Sequence, residues 1–108
     1  MISHFHAHIY YQDSSRHMAN NLRTSIEEYF VVKMGRWREQ PVGPHPQPMY
    51  QVSFEPKLFG TFVPWLMLNR KSLSILVHPN TESSFIDHTK HALWMGKRLR
   101  LRLKKLDP

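Results

Sequence analysis

Residues 4 to 11 read HFHAHIYY, and an alternation this strict has one regular conformation that separates its two residue types. In an extended strand successive side chains point to opposite faces, so Phe5, Ala7, Ile9 and Tyr11 share one face and His4, His6, His8 and Tyr10 the other. The first face predicts core. The second, rich in imidazole, predicts chemistry or solvent.

The rest of the chain predicts partners for this strand. DSSRHMANNLRTSIEEYF offers Asp13, Ser14 and Ser15 as caps and sets Ala19, Leu22, Ile26, Tyr29 and Phe30 at helical spacing, which predicts an amphipathic helix. VVKMGRW reads as a short second strand, and REQPVGPHPQP, with four prolines and one glycine, as a loop. MYQVSF alternates as a third strand, with Tyr50, Val52 and Phe54 inward and Met49, Gln51 and Ser53 outward. Between Lys57 and Arg70, Phe59, Phe62 and Leu66 keep helical spacing, with Pro64 expected to kink or restart the helix. SLSILVHP gives a fourth strand whose Leu73, Ile75 and Val77 face the core while Leu76 and His78 face away. The strict alternation of RLRLRL predicts an edge strand in the tail.

The resulting order, β-α-β-β-α-β, is that of an α+β, ferredoxin-like two-layer sandwich with an antiparallel sheet. Both helices then cover one sheet face, and the opposite face carries His6, His8, Tyr10, Gln51, Ser53 and His78. With Leu76, Met49 and Tyr10 among these polar groups, that face is partly apolar, which predicts a homodimer that covers it.

A chain of 108 residues, 41% of them hydrophobic, is long enough for one core and too short for two ordinary domains, so residues 1–108 are expected to form one domain. Aromatic content of 12% with only 21% charged residues opposes disorder. No apolar run approaches the roughly 20 residues of a membrane span, and no basic region followed by an apolar stretch marks export. Cysteine is absent, so thiolate sites are excluded and a metal would be held by nitrogen or oxygen. These features fit a cytoplasmic protein. The net charge of +7 is concentrated: KRLRLRLKK, residues 97–105 of a basic tail over 97–108, holds six Lys or Arg, leaving +1 elsewhere. A solvated arginine face there predicts only weak, salt-sensitive binding of nucleic acid.

His6 and His8, two apart on one strand, point two imidazoles the same way, as two ligands of one metal require. His78 ends a strand on the same inferred face, and His45 in GPHP is held on a loop stiffened by flanking prolines. His88 in DHTKHALW is a candidate further ligand or proton carrier, with Asp87 as an orienting carboxylate. His4, His17 and His91 read as ordinary, and Tyr10, Tyr11, Trp37, Trp65 and Trp94 as packing residues. There is no Gly-rich phosphate loop, G-x-S-x-G elbow or H-E-x-x-H helix. No carboxylate lies beside the strand histidines to complete a two-His-one-carboxylate iron site, Glu39 and Asp87 being the nearest along the chain to a chosen histidine.

HAHIYY, VGPHPQPMYQVSF, PWLMLNR, LSILVHPNT and DHTKHALWMG, in that order over residues 4 to 96, resemble the DOPA 4,5-dioxygenase family of small aromatic ring-cleaving enzymes. The resemblance implies a ferredoxin-like dimer and extradiol cleavage of a catechol such as DOPA with O2 by non-haem Fe(II), with zinc or another divalent metal able to substitute in purified protein. It carries over His6, His8, His45, His78 and His88 as the histidines embedded in matching motifs, without dividing ligands from base; the expectation set on them is that His6, His8, His45 and His78 converge on one metal, with His88 and His45 as catalytic candidates. The alternative is a non-catalytic ferredoxin-like module that contacts RNA or another acidic partner through the basic tail. RNA binders of this fold place aromatics on the open sheet face, where this chain has histidines.

Overall fold

The computed structural model describes residues 1–106, so the last two residues of the basic tail lie outside the described part. Its elements are β1 (Phe5–Tyr10), α1 (Arg16–Tyr29), β2 (Lys33–Met34), β3 (Met49–Phe54), α2 (Phe59–Asn69), β4 (Ser74–Pro79), α3 (Ser84–His88) and β5 (Leu93–Met95). The strands form one antiparallel sheet in the order β2-β3-β1-β4-β5. β1 therefore lies at the centre. It pairs His6 with His78 of β4 on one side and with Ser53 of β3 on the other.

The period-two pattern of β1 partitions as its residue types demand. Ala7 and Ile9 are fully buried with Tyr50, Val52, Ile75 and Val77, and α1 and α2 close over them through Ala19, Leu22, Ile26, Phe62, Val63 and Leu66. Each Val, Leu, Ile or Phe side chain among them contributes roughly 1.5–3 kcal/mol when withdrawn from water. Trp37 packs between Tyr11 and Tyr50, with ring centroids 4.8 and 5.1 Å away, and Trp65 packs on Phe30 at 5.1 Å, both as expected of packing residues.

Several boundaries differ from the sequence reading. Asp13, Ser14 and Ser15 form a 3-10 turn ahead of α1, in which Ser15 Oγ accepts from the Gln12 amide at 3.0 Å. Tyr29 ends the helix exposed, and the next residue, Phe30, packs on Phe62 at 4.9 Å instead. β2 has only two residues, although Gly35 extends its contact by donating to the Gln51 carbonyl at 2.7 Å. Pro64 lies within α2, so the Gly60 carbonyl receives no helical bond from residue 64. The proline is on the exposed face, where water can serve that carbonyl.

The tail is the main correction. The fifth strand is Leu93–Met95, and RLRLRL forms no strand. Gly96, at φ +76°, turns the chain out of β5, where an added Cβ would stand 3.1 Å from the Leu73 carbonyl. The tail then meets the face that the helices leave bare. Leu99 is buried in a second cluster with Tyr10, Met49 and Leu76, Leu101 packs beside it, and Leu103 stays exposed. The Arg102 amide donates to the Pro44 carbonyl at 2.8 Å. Tyr10, Met49 and Leu76, from which the homodimer was predicted, are thus covered within one chain. Among the described residues no helix is long and apolar enough to cross a membrane.

Candidate metal centre

The histidines gather on the sheet face away from α1 and α2. β1 supplies His6 and His8, β4 supplies His78, α3 supplies His88, and the proline-rich loop supplies His45. The loop positions His45 through a turn in which its amide donates to the Val42 carbonyl at 3.0 Å, with Gly43 at φ +56°. His8, His45 and His78 are buried, and His6 and His88 are partly buried.

These five do not form a single shell. His6, His8 and His78 offer ring nitrogens within 4.8 Å of one another, as do His8, His45 and His88, so two groups share His8. Either could hold a metal ion, and both consist of histidines alone. Around the shared ring, the centroids of His45 and His78 lie 4.2 and 5.1 Å away, and His88 is 4.1 Å from His78.

Hydrogen bonds define which nitrogens are free. His78 Nδ1 lies 2.8 Å from the Pro79 carbonyl and His88 Nδ1 2.7 Å from the Ser84 carbonyl. A carbonyl only accepts, so Nδ1 is the nitrogen that donates in each ring, and in the neutral tautomer this sets, Nε2 keeps the lone pair. The Nε2 of His78 faces the Nε2 of His8 at 3.0 Å. That separation suits two adjacent ligands of one ion at metal–nitrogen distances near 2.1 Å. His8 Nδ1 is buried with no hydrogen-bond partner among the described residues, a position that ordinarily costs about 1–3 kcal/mol. The donor set, three imidazoles whose ring nitrogens lie within 4.8 Å of one another, fits a divalent cation.

Burial also fixes the charge state. Withdrawal from water, reinforced by repulsion from neighbouring imidazoles, lowers His6 and His78 to about 4 and His45 to about 3, and pushes His8 well below its ordinary 6.5. All four are neutral at pH 7, the form that binds metal or accepts a proton.

The carboxylate candidates are committed elsewhere. Glu39 pairs with Arg16 and accepts from the Tyr11 hydroxyl at 3.3 Å. Asp87 accepts from the Thr81 amide and hydroxyl, each at 2.7 Å, and contacts His91 Nδ1 at 2.9 Å, so it orients His91 and the turn after β4, not His88. Burial alone would raise the Asp87 pKa, but these bonds outweigh it and lower it. His4 and His17 lie outside both histidine groups, His17 contacting Asn21 at 3.3 Å.

The sequence reading missed two side chains at this site. The Tyr10 hydroxyl lies 2.7 Å from His45 Nδ1, and burial raises its pKa so that it remains a phenol. Trp94 of β5 stacks on Tyr10, with centroids 5.9 Å apart. The signal for Tyr10 was its place on the histidine side of β1. Trp94 gave none, because β5 was not foreseen.

The chain is thus a small α+β protein whose sheet carries a cluster of histidines that could hold a metal ion. It belongs to the Dopa 4,5-dioxygenase family, whose model matches residues 5–105. It is 41% identical over 111 residues to an "uncharacterized 21.2 kDa protein" of Botryotinia fuckeliana, covering 92% of this chain and 61% of that protein. It is 31% identical to the DOPA 4,5-dioxygenase of Amanita muscaria, covering 95% of this chain and 48% of that one. The chain thus spans about half to three-fifths of the length of these curated relatives. A crystal structure of a "putative dioxygenase" from Nostoc punctiforme superposes with a TM-score of 0.95 at 47% identity, covering 96% of this chain and 90% of that one.

Proposed function

We propose that this chain is a metal-dependent extradiol dioxygenase that opens the ring of a catechol with O2. The observation that carries the proposal is the facing pair His8 Nε2 and His78 Nε2, 3.0 Å apart among imidazoles that burial keeps neutral. His6, His8 and His78 would hold the ion, with Fe(II) as the working metal and zinc or another divalent ion as a substitute in purified protein. When bound, ferrous iron supplies the one-electron chemistry that lets triplet dioxygen react with a singlet catechol.

The chain's own residues manage protons and position. His88, with its Nδ1–H spent on Ser84, presents a basic Nε2 that accepts a catechol hydroxyl proton and later returns it. His45 groups with His88 and not with His6 or His78, so we assign it to this proton chemistry; its ring is set by Tyr10. In the overall reaction the ring bond beside the two hydroxylated carbons breaks and both oxygen atoms enter the product. The ring is oxidised as dioxygen is reduced, and no external reductant is consumed.

The strand order β2-β3-β1-β4 interleaves two β-α-β units, which supports reading the fold as ferredoxin-like and residues 1–108 as one domain. A homodimer is carried by family resemblance alone. The proposed setting is the cytoplasm, where reducing conditions preserve ferrous iron. The binding-module alternative lacks support on the sheet, whose centre carries buried imidazoles and no exposed aromatic platform for bases.

The test is anaerobic loading with ferrous iron, addition of DOPA or 4-methylcatechol, and admission of air. Oxygen uptake matched by a coloured semialdehyde is expected. Retained iron with no oxygen uptake for any catechol would overturn the assignment.

A further inference from the structure

We infer that the cleft beside His88 takes a catechol whose side chain ends in a carboxylate without an ammonium group, and that Arg98 and Arg100 read that charge. The inference rests on the ring-cleavage reading above and narrows its substrate.

The cleft holds about 370 Å³, near the lower end for small-molecule sites and suited to one ring with a short substituent. His88 lies at the candidate metal centre and lines this cleft as well, so a ring held there is beside the proposed base. Trp94 and Leu101 line its wall, and the stacking of Trp94 on Tyr10 holds that wall in place. Flat aromatic and aliphatic surface of this kind accepts a planar ring.

Charge supplies the selectivity. Arg98 and Arg100 line the cleft, and among the described residues no carboxylate does. Among the described residues neither arginine forms an ion pair. The adjacent acid, Asp87, is buried with its oxygens taken by Thr81 and His91. A substrate carboxylate would meet guanidinium forks suited to bidentate binding, whereas the ammonium of an amino acid would meet only like charge. The two arginines are held there, because Leu99 between them is buried against Tyr10, Met49 and Leu76 and the Arg102 amide is bonded to Pro44. The alternation that resembled a strand thus alternates anchor with cation.

A second cleft of about 260 Å³ beside His45 also carries two arginines, Arg36 and Arg38, but no Trp, Tyr or Phe to receive a ring. It provides the control. The full chain, loaded with zinc to prevent turnover, is titrated calorimetrically with 3,4-dihydroxyphenylacetate, DOPA and uncharged 4-methylcatechol. The parent is expected to bind the carboxylate at least tenfold more tightly than either of the others. R98Q/R100Q, at exposed positions, should collapse that ratio to about one, and R36Q/R38Q should preserve it. A ratio that survives R98Q/R100Q, or collapses in R36Q/R38Q, overturns the inference, as does DOPA binding as tightly as the carboxylate. Equal affinity of the parent for all three overturns the inference and leaves ring cleavage standing. Failure of all three to bind overturns both.

Discussion

His8 Nε2 and His78 Nε2 face each other at 3.0 Å across the β1–β4 pair, while the Nδ1–H of His78 is fixed on the Pro79 carbonyl. Substituting alanine for His8 removes the one ring common to both histidine groups. His8→Ala is expected to weaken metal binding by more than about a hundredfold, beyond the 10–100-fold typical of outer-shell losses. His17→Ala, outside the cluster, should change nothing. Metal content after gel filtration checks both, and a His8→Ala protein that keeps stoichiometric metal would show that the pair is structural.

Acid should unfold the metal-free protein early. In the unfolded chain the imidazoles take protons near pH 6.5, but in the fold His6 and His78 resist to about 4, His45 to about 3 and His8 lower still. The unfolded state therefore binds more protons between these limits. Stability is full above about pH 6.5 and falls as pH drops toward 4, by about 1.4 kcal/mol per pH unit for each imidazole protonated only on unfolding. Urea unfolding at pH 7.5, 6 and 5 measures the slope. A flat profile would contradict the buried, neutral cluster.

Tyr10→Phe removes only the oxygen that contacts His45 Nδ1. The buried nitrogen loses its partner, at a cost of about 1–3 kcal/mol in stability. Because His45 would also lose its fixed orientation, kcat should fall about tenfold with little change in KM. Steady-state kinetics beside urea unfolding distinguishes this from a packing role, for which stability alone would change.

Leu99→Ala should loosen the tail. Its side chain is 8% exposed in the cluster with Tyr10, Met49 and Leu76, and truncation there should cost about 2 kcal/mol or more. Trypsin should then cut among the basic residues 97–105 faster than in the parent. Unchanged cleavage kinetics would mean that the Arg102–Pro44 bond alone holds the segment.

The alternation of β1, β3 and β4 was legible because each is long enough to show period two and has one fully apolar face. Leu93–Met95 was not, since three residues carry no period and only pairing with Ile75, Leu76 and Val77 makes them a strand. RLRLRL misled for the complementary reason: packing one leucine against a sheet face satisfies the same pattern without ladder bonds. His45 announced itself through its prolines, but that its loop closes on His8 is a tertiary fact. The same holds for Asp87, whose choice of His91 over the adjacent His88 depends on the turn after α3, in which the His91 amide donates to the Ile86 carbonyl at 3.1 Å.

The register of β1 against β4 sets how the chain tolerates gained or lost residues. Helix ends and the loop over residues 36–48 can change length while the pairing of His6 with His78 survives. Deleting one residue within 6–8 cannot be absorbed in that way. It would rotate an imidazole into the layer where Ala7 and Ile9 stand with no exposed surface, and turn an aliphatic side chain towards the histidines. Insertions and deletions should therefore accumulate among relatives in the loops and stay out of these three positions, however far the surrounding sequence drifts.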